Sequence, residues 1–276
     1  MKVWLDAGLL DADDARVSVF DHGLTVGDGV FESAKVVDGV AFALSRHLHR
    51  LARSAAGLGL AVPAEGDLRA AVTATLEANA AELAAPQRLR ITLTGGTGPL
   101  GSDRGDAEPT LLVALAPLRT WAATAKVVVV PWTRNERGAT AGLKTTSYAE
   151  NVVALAYAHA AGGSEALLAN TVGQLCEGTG SNVFLVLDGQ IVTPPLSSGC
   201  LAGVSRALVL EWTGALEHEL SMADLARAEE VFLTSSTRDV QAVHAVDNRA
   251  LSGAPGPRTA QVATVFAERA TADVDP

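Results

Sequence analysis

Short apolar runs set off by turn residues alternate with longer amphipathic stretches, and the pattern predicts a mixed α/β chain. The runs at 17–20 and 34–37 read as strands, with turn signals at Asp28-Gly29 and Asp38-Gly39. Ser45 is a plausible N-cap for an arginine-rich amphipathic helix over 46–58, which Gly57 and Gly59 can end. Asp67 is a plausible cap for an alanine-rich helix reaching about residue 83. Residues 88–94 and 110–116 read as strands on either side of a glycine-rich loop, 95–105.

Residues 117–124 look like a linker. Beyond them, 126–130 is an apolar, β-branched strand, and 147–161 has helical character ending at Gly162-Gly163. Strands are expected at 166–169, 182–187, 190–193 and 231–234, with a hairpin turn at Asp188-Gly189 and a helix over 204–212. The expected organisation is an N-terminal α/β domain over 1–118, a linker over 119–125 and a larger C-terminal domain over 126–276.

Composition narrows the class. No run of about 18 apolar residues appears, so no transmembrane helix is expected. The start, Met1-Lys2-Val3-Trp4-Leu5-Asp6, lacks an apolar signal core, and a cytoplasmic protein is expected. A net charge of −10 argues against nucleic acid as a partner but leaves small anions open. Cys176 and Cys200 fit a reducing compartment, and no ligand spacing suggests a metal.

Of 21 Lys and Arg residues only four are lysine: Lys2, Lys35, Lys126 and Lys144. Chemistry that needs an amine selects lysine, because a guanidinium stays charged and forms no Schiff base. Lys144 lies in Gly142-Leu143-Lys144-Thr145-Thr146-Ser147-Tyr148, just ahead of the predicted helix. Downstream come Cys176-Glu177-Gly178-Thr179-Gly180-Ser181-Asn182 and then Gly199-Cys200-Leu201-Ala202-Gly203-Val204-Ser205. The second run opens a helix with Gly and Ser, where N–H groups and the helix dipole favour an anion.

These segments, in order with Phe20-Asp21-His22-Gly23, Gly27-Asp28-Gly29-Val30-Phe31-Glu32 and His47-Leu48-His49-Arg50-Leu51, resemble the class IV (fold-type IV) pyridoxal-phosphate enzymes. That family includes D-amino acid and branched-chain aminotransferases, (R)-amine transaminases and 4-amino-4-deoxychorismate lyases. The likeness spans residues 17–240 and implies two mixed α/β domains with the active site between them. It implies pyridoxal 5′-phosphate as cofactor and a homodimer.

By this resemblance Lys144 is the Schiff-base lysine and proton shuttle. Glu177 faces the pyridine nitrogen, and Tyr148 bonds the phenolic oxygen. Arg50, Val204, Ser205 and Ser236 hold the phosphate, and Leu201 packs on the ring. His22 and His47 are expected to make structural hydrogen bonds. Phe31 and Leu100 are expected on the substrate side. D-amino acid aminotransferases carry arginine and histidine where this chain has Leu100 and Ser102, so a substrate carboxylate must be held otherwise. Arg104, Arg134, Arg137 and Arg238 are the candidates. The reading favours transamination between a D-amino acid or (R)-amine and a keto acid. The lyase is the alternative. A branched-chain enzyme is less favoured, since Val26 replaces one of that group's pocket aromatics. A non-catalytic cofactor-binding protein on the same fold is the reading from another class.

Overall fold

The computed structural model describes residues 1–276. It divides into two compact units, one formed by 1–119, 143–148 and 274–276, the other by 120–142 and 149–273. The first unit contains β1 (Lys2–Leu5), β2 (Gly8–Asp11), α1 (His22–Thr25), β3 (Gly29–Val37), β4 (Val40–Ala41), α2 (Leu44–Leu58), α3 (Glu65–Ala78), β5 (Gln87–Thr94) and β6 (Thr110–Pro117). The second contains β7 (Thr124–Arg134), α4 (Ala149–Ala160), β8 (Glu165–Asn170), β9 (Leu175–Gly178), β10 (Asn182–Leu187), β11 (Gln190–Thr193), α5 (Val204–Thr213), β12 (Leu216–Glu217), α6 (Met222–Arg227), β13 (Glu230–Ser235), β14 (Asp239–Val246), β15 (Arg249–Ala250) and α7 (Pro257–Ala272).

In the first unit the strands form an antiparallel sheet in the order β2-β1-β6-β5-β3-β4. Val30, Ala34 and Val36 alternate along β3 and join Leu48 and Leu51 of α2, with Leu89, Ile91 and Leu93 of β5, in one core. α2 buries His47, Leu48, Arg50, Leu51, Ser54 and Ala55, the three- and four-residue spacing of a helix face. Its N-cap is Ala43, a non-glycine residue at φ 54°, so Ser45 lies inside the first turn. The Ser45 N–H and hydroxyl instead donate to the Asp275 carboxylate.

The second unit is a mixed sheet in the order β12-β11-β10-β13-β14-β7-β8-β9. β7 runs parallel to both β14 and β8, and β10 and β13 are antiparallel. Its core gathers Val127, Leu167, Leu175, Val183, Leu185 and Leu233.

Other local expectations are corrected: α3 starts at Glu65 after Ala64 as N-cap, so Asp67 lies inside its first turn. Residues 17–20 form no strand: Ser18 accepts from the Phe20 and Asp21 N–H groups, a local turn that competes with a ladder. Asp21 then caps α1 by accepting from the Gly23 N–H. The hairpin β1–β2 and the long helix α7 were not anticipated. Residues 143–148, expected in the second domain, belong to the first compact unit. Thr145 bridges Val30, the Phe31 N–H donates to the Lys144 carbonyl, and the Thr146 N–H donates to the Gly29 carbonyl.

Candidate functional site

Lys144 is presented by that short segment. Its N–H donates to Ser54 Oγ of α2, and Leu143 packs so tightly on Gly57 that a Cβ there would come within 2.7 Å of it. Thr146 and Ser147 hydroxyls both donate to the Gly27 carbonyl. Gly27 has φ +69°, where a side chain would be strained and would meet Ser147 Oγ at 2.8 Å. Backbone and side chains thus fix the lysine from both ends.

The Lys144 Nζ lies 4.2 Å from the centre of the Phe31 ring and 5.9 Å from that of Tyr148. Phe31 and Tyr148 meet edge to face at 5.3 Å. A second cation shares the Phe31 ring: the Arg90 guanidinium, 3.4 Å from its centre. Burial pushes the Arg90 pKa down to about 10, so it stays charged at neutral pH. Arg90 was not singled out from the sequence. It pairs with Ser33 in the β3–β5 register, one step diagonal from Phe31, and that register is invisible until the strands are paired.

Glu32 projects from β3 into the core between Val30 and Ala34 and is 1% exposed. Arg50 donates from Nε and Nη2 to its two oxygens at 2.7 Å, and His47 Nδ1 lies 2.6 Å from Oε2. Burial alone would raise the Glu32 pKa. The charge and hydrogen bonds of Arg50, helped by His47, outweigh it and hold the carboxyl well below its ordinary range. Burial pushes the His47 pKa down despite Glu32. His22 makes its structural bond through Nε2, 2.8 Å from the Pro99 carbonyl.

The depressed Glu32 pKa has a stability consequence. Below about pH 4.3, the ordinary glutamate value, the unfolded chain binds a proton that the folded chain refuses. The stability this group contributes is present above that pH and is lost as pH falls. Asp28, lowered by its bond from Arg104, acts in the same direction. Thermal unfolding of wild type and Glu32→Gln between pH 3 and 7 is expected to show a smaller acid loss in the variant. Parallel curves would remove Glu32 as the cause.

In the second unit Glu177 ends β9. Its Oε2 accepts from the Leu201 N–H at 2.9 Å, and its Oε1 lies 3.3 Å from Arg134 Nε. Arg134 also donates from Nη2 to Asn151 at 2.7 Å. The Leu201 carbonyl accepts from Asn182 Nδ2. Gly203 caps α5 with extended backbone and no side-chain cap, which leaves the first turn, at buried Val204 and Ser205, suited to an anion. A Cβ on Gly203 would meet Asn182 Oδ1 at 2.0 Å, so the close approach requires glycine. Beside Ser236, the buried Thr234 and Ser235 hydroxyls have no hydrogen-bond partner. An uncapped helix start, buried hydroxyls without a partner and the Glu177 carboxylate form a donor and acceptor set that fits pyridoxal phosphate.

The arginines named from sequence are largely engaged. Arg104 grips Asp28 through Nε and Nη2 and donates to the Leu58 carbonyl. Arg238 donates to Glu165 and Gln241. Arg137 is exposed beside Glu136, and Leu100 is 72% exposed. Burial raises both thiols, that of Cys200 to about 11, so neither is a nucleophile at neutral pH.

The class IV amino-transferase family model matches residues 29–246. A putative branched-chain-amino-acid aminotransferase of Methanocaldococcus jannaschii is 34% identical, covering 91% of this chain and 90% of its own length. A D-alanine aminotransferase of Bacillus licheniformis is 29% identical over 96% of each chain. A bifunctional aminodeoxychorismate lyase/D-amino acid transaminase of Mycobacterium tuberculosis is 30% identical, covering 97% and 96%. Among solved structures, the branched-chain aminotransferase of Thermoproteus uzoniensis with norvaline aligns at TM-score 0.89 and 30% identity, covering 97% of this chain and 94% of its own. The pyridoxal-phosphate-bound form of a hypothetical aminotransferase from Mycobacterium tuberculosis aligns at TM-score 0.87 and 26% identity, covering 97% and 98%. This chain belongs to the class IV aminotransferases, whose fold it has and whose cofactor is pyridoxal 5′-phosphate. No helix is long and apolar enough to cross a membrane.

Proposed function

We propose that this enzyme transfers an amino group between a D-amino acid or (R)-amine and a keto acid, using Lys144 as the catalytic amine. The observation that carries the reading is the Lys144 amine, held at both ends of its segment and set with Arg90 against the Phe31 ring. Full-length likeness to D-alanine aminotransferases supports the D side. Likeness to the branched-chain enzymes favours L-leucine as the main competitor.

Pyridoxal phosphate supplies the electron sink that lets a bond at the substrate α-carbon ionise. Lys144 would anchor the cofactor through Nζ. Its Nζ would also be the base that moves the substrate α-proton. Glu177, charge-compensated by Arg134 and fixed by the Leu201 N–H, would hold a proton at the ring nitrogen. Tyr148 would bond the phenolic oxygen, and Leu201 would pack on the ring. By the family resemblance Val204, Ser205 and Ser236 would bind the phosphate, and Arg50 is the arginine that the resemblance assigns to it.

Arg90 takes the carboxylate role: its Nε donates to Thr92 Oγ1 at 3.2 Å, whereas Arg104 and Arg238 each place two or more donors on neighbours and Arg134 serves Glu177. Arg90→Leu is expected to raise KM for the keto acid by about 10- to 100-fold, the worth of a charge-assisted hydrogen bond, with cofactor loading intact. An unchanged KM would remove Arg90 from this role.

Spectral bleaching of the holoenzyme by D-alanine, D-glutamate, (R)-phenylethylamine, L-leucine or aminodeoxychorismate separates the activities. Bleaching by a D-amino acid or the (R)-amine supports the proposal. Bleaching by L-leucine alone overturns it for the branched-chain reading, and p-aminobenzoate release without a keto acid overturns it for the lyase. We also propose a homodimer. Val17, Val19, Phe20 and Leu24 are exposed on the first unit and Trp132, Val152 and Val153 on the second, apolar side chains that a partner copy could cover. A monomeric mass by light scattering would count against it.

A further inference from the structure

The mechanism leaves unused a buried ion pair in the second unit. Glu165, at the start of β8, is 1% exposed and has no solvent to satisfy it. Its Oε1 accepts from the Ala166 N–H, the Thr179 N–H and the Thr179 hydroxyl. Its Oε2 accepts from Ser181 Oγ at 3.1 Å and from Arg238 Nη2 at 2.7 Å. Arg238 is fixed in turn: Nη1 donates to Gln241 at 2.8 Å, and its guanidinium lies 3.8 Å from the centre of the Trp121 ring.

The two residues that Glu165 holds on the 177–182 turn follow Glu177 by two and four positions. The turn closes on the carboxylate: a Cβ at Gly178 would meet Ser181 Oγ at 2.5 Å and Glu165 Cγ at 3.2 Å. On its other side, Asn182 and Glu177 both bond Leu201. Arg238 follows Ser236 by two positions, at the turn between β13 and β14. One buried carboxylate therefore ties together the segments bearing Glu177, Leu201 and Ser236.

The geometry points to Glu165, with Arg238 as its counter-ion, as a positioning residue that sets Glu177 against the cofactor ring and the Ser236 turn against the phosphate. This rests on the reading that Glu177 and Ser236 hold pyridoxal phosphate. It also gives Arg238 work other than binding a substrate carboxylate. A charged acceptor is needed, because the site directs donors at both oxygens and an amide would bring its own N–H against them.

The test is a double-mutant cycle on the full chain, read by pyridoxal phosphate titration and by the single-turnover rate of amine transfer. Glu165→Gln is expected to weaken cofactor affinity on the order of 10-fold and to slow the half-reaction. Combined with Glu177→Gln it should add less than its separate effect, with coupling of about 3-fold or more. Effects that simply multiply would make Glu165 a structural residue and overturn the proposal, leaving the cofactor reading intact. A Glu177→Gln enzyme with unchanged rate and affinity would overturn that reading, and this proposal with it. If Glu165→Gln does not fold, Thr179→Val removes one donor and keeps the ion pair, with the same coupling expected at smaller size. Unchanged affinity and rate in Thr179→Val would then overturn the proposal. So would Arg238→Lys with raised KM for carboxylate substrates at unchanged cofactor affinity.

Discussion

Lys144→Ala is expected to lower the transamination rate by at least about 10⁴-fold, the upper range for a positioned proton-transfer group, because in the proposed role it is also the covalent anchor. Global stability should change little. Lys144 is held through its own N–H and carbonyl and through the Thr146 and Ser147 hydroxyls, none of which the substitution removes. The absorption band of the lysine-bound cofactor should vanish while non-covalent binding persists. Added alkylamines should restore part of the rate, since Phe31 and Tyr148 still shape the space vacated by Nζ. Survival of the band in the variant would sink the lysine assignment. Loss of the band with an unaltered rate would separate anchoring from catalysis.

Arg50→Met is expected to destabilise the protein by about 3–5 kcal/mol, the range for breaking a buried pair from one side. The cause is Glu32, left charged in the core with only His47 beside it. Adding Glu32→Gln should recover part of that loss, because the uncompensated charge is gone. Chemical denaturation of the single and double variants measures both. Cofactor titration of the double variant tests the proposed phosphate role of Arg50: on that proposal affinity should stay weakened after stability has partly returned. Full affinity there would confine Arg50 to the ion pair with Glu32.

Much of the unit organisation was legible because local rules and global packing agree. β5 alternates core and non-core positions, and α2 repeats its buried side chains at helical spacing. The helix start at Val204 follows Gly203, and the structure has α5 begin there. The failures have specific causes. Residues 17–20 carry strand-forming side chains, but Ser18 satisfies the backbone locally. Ser45 looks like a cap, yet its partner is Asp275, 230 positions away. Glu32 sat in a motif with no role, because a lone glutamate in a strand gives no hint that Arg50 and His47 will face it.

Residue chemistry needed no coordinates. The scarcity of lysine drew attention to Lys144, and the ordered series of segments resembled this family closely enough to indicate membership. What remained for the folded chain was the pairing of charges. How far each arginine is engaged by its neighbours depends on strand register and on contacts between residues far apart in sequence. Arg104 meets Asp28 across 76 positions and Arg238 meets Glu165 across 73, while Arg90 reaches Phe31 only once β3 and β5 align. Residue type is a local property, but the worth of a charge is set by burial and partners, and both exist only after folding.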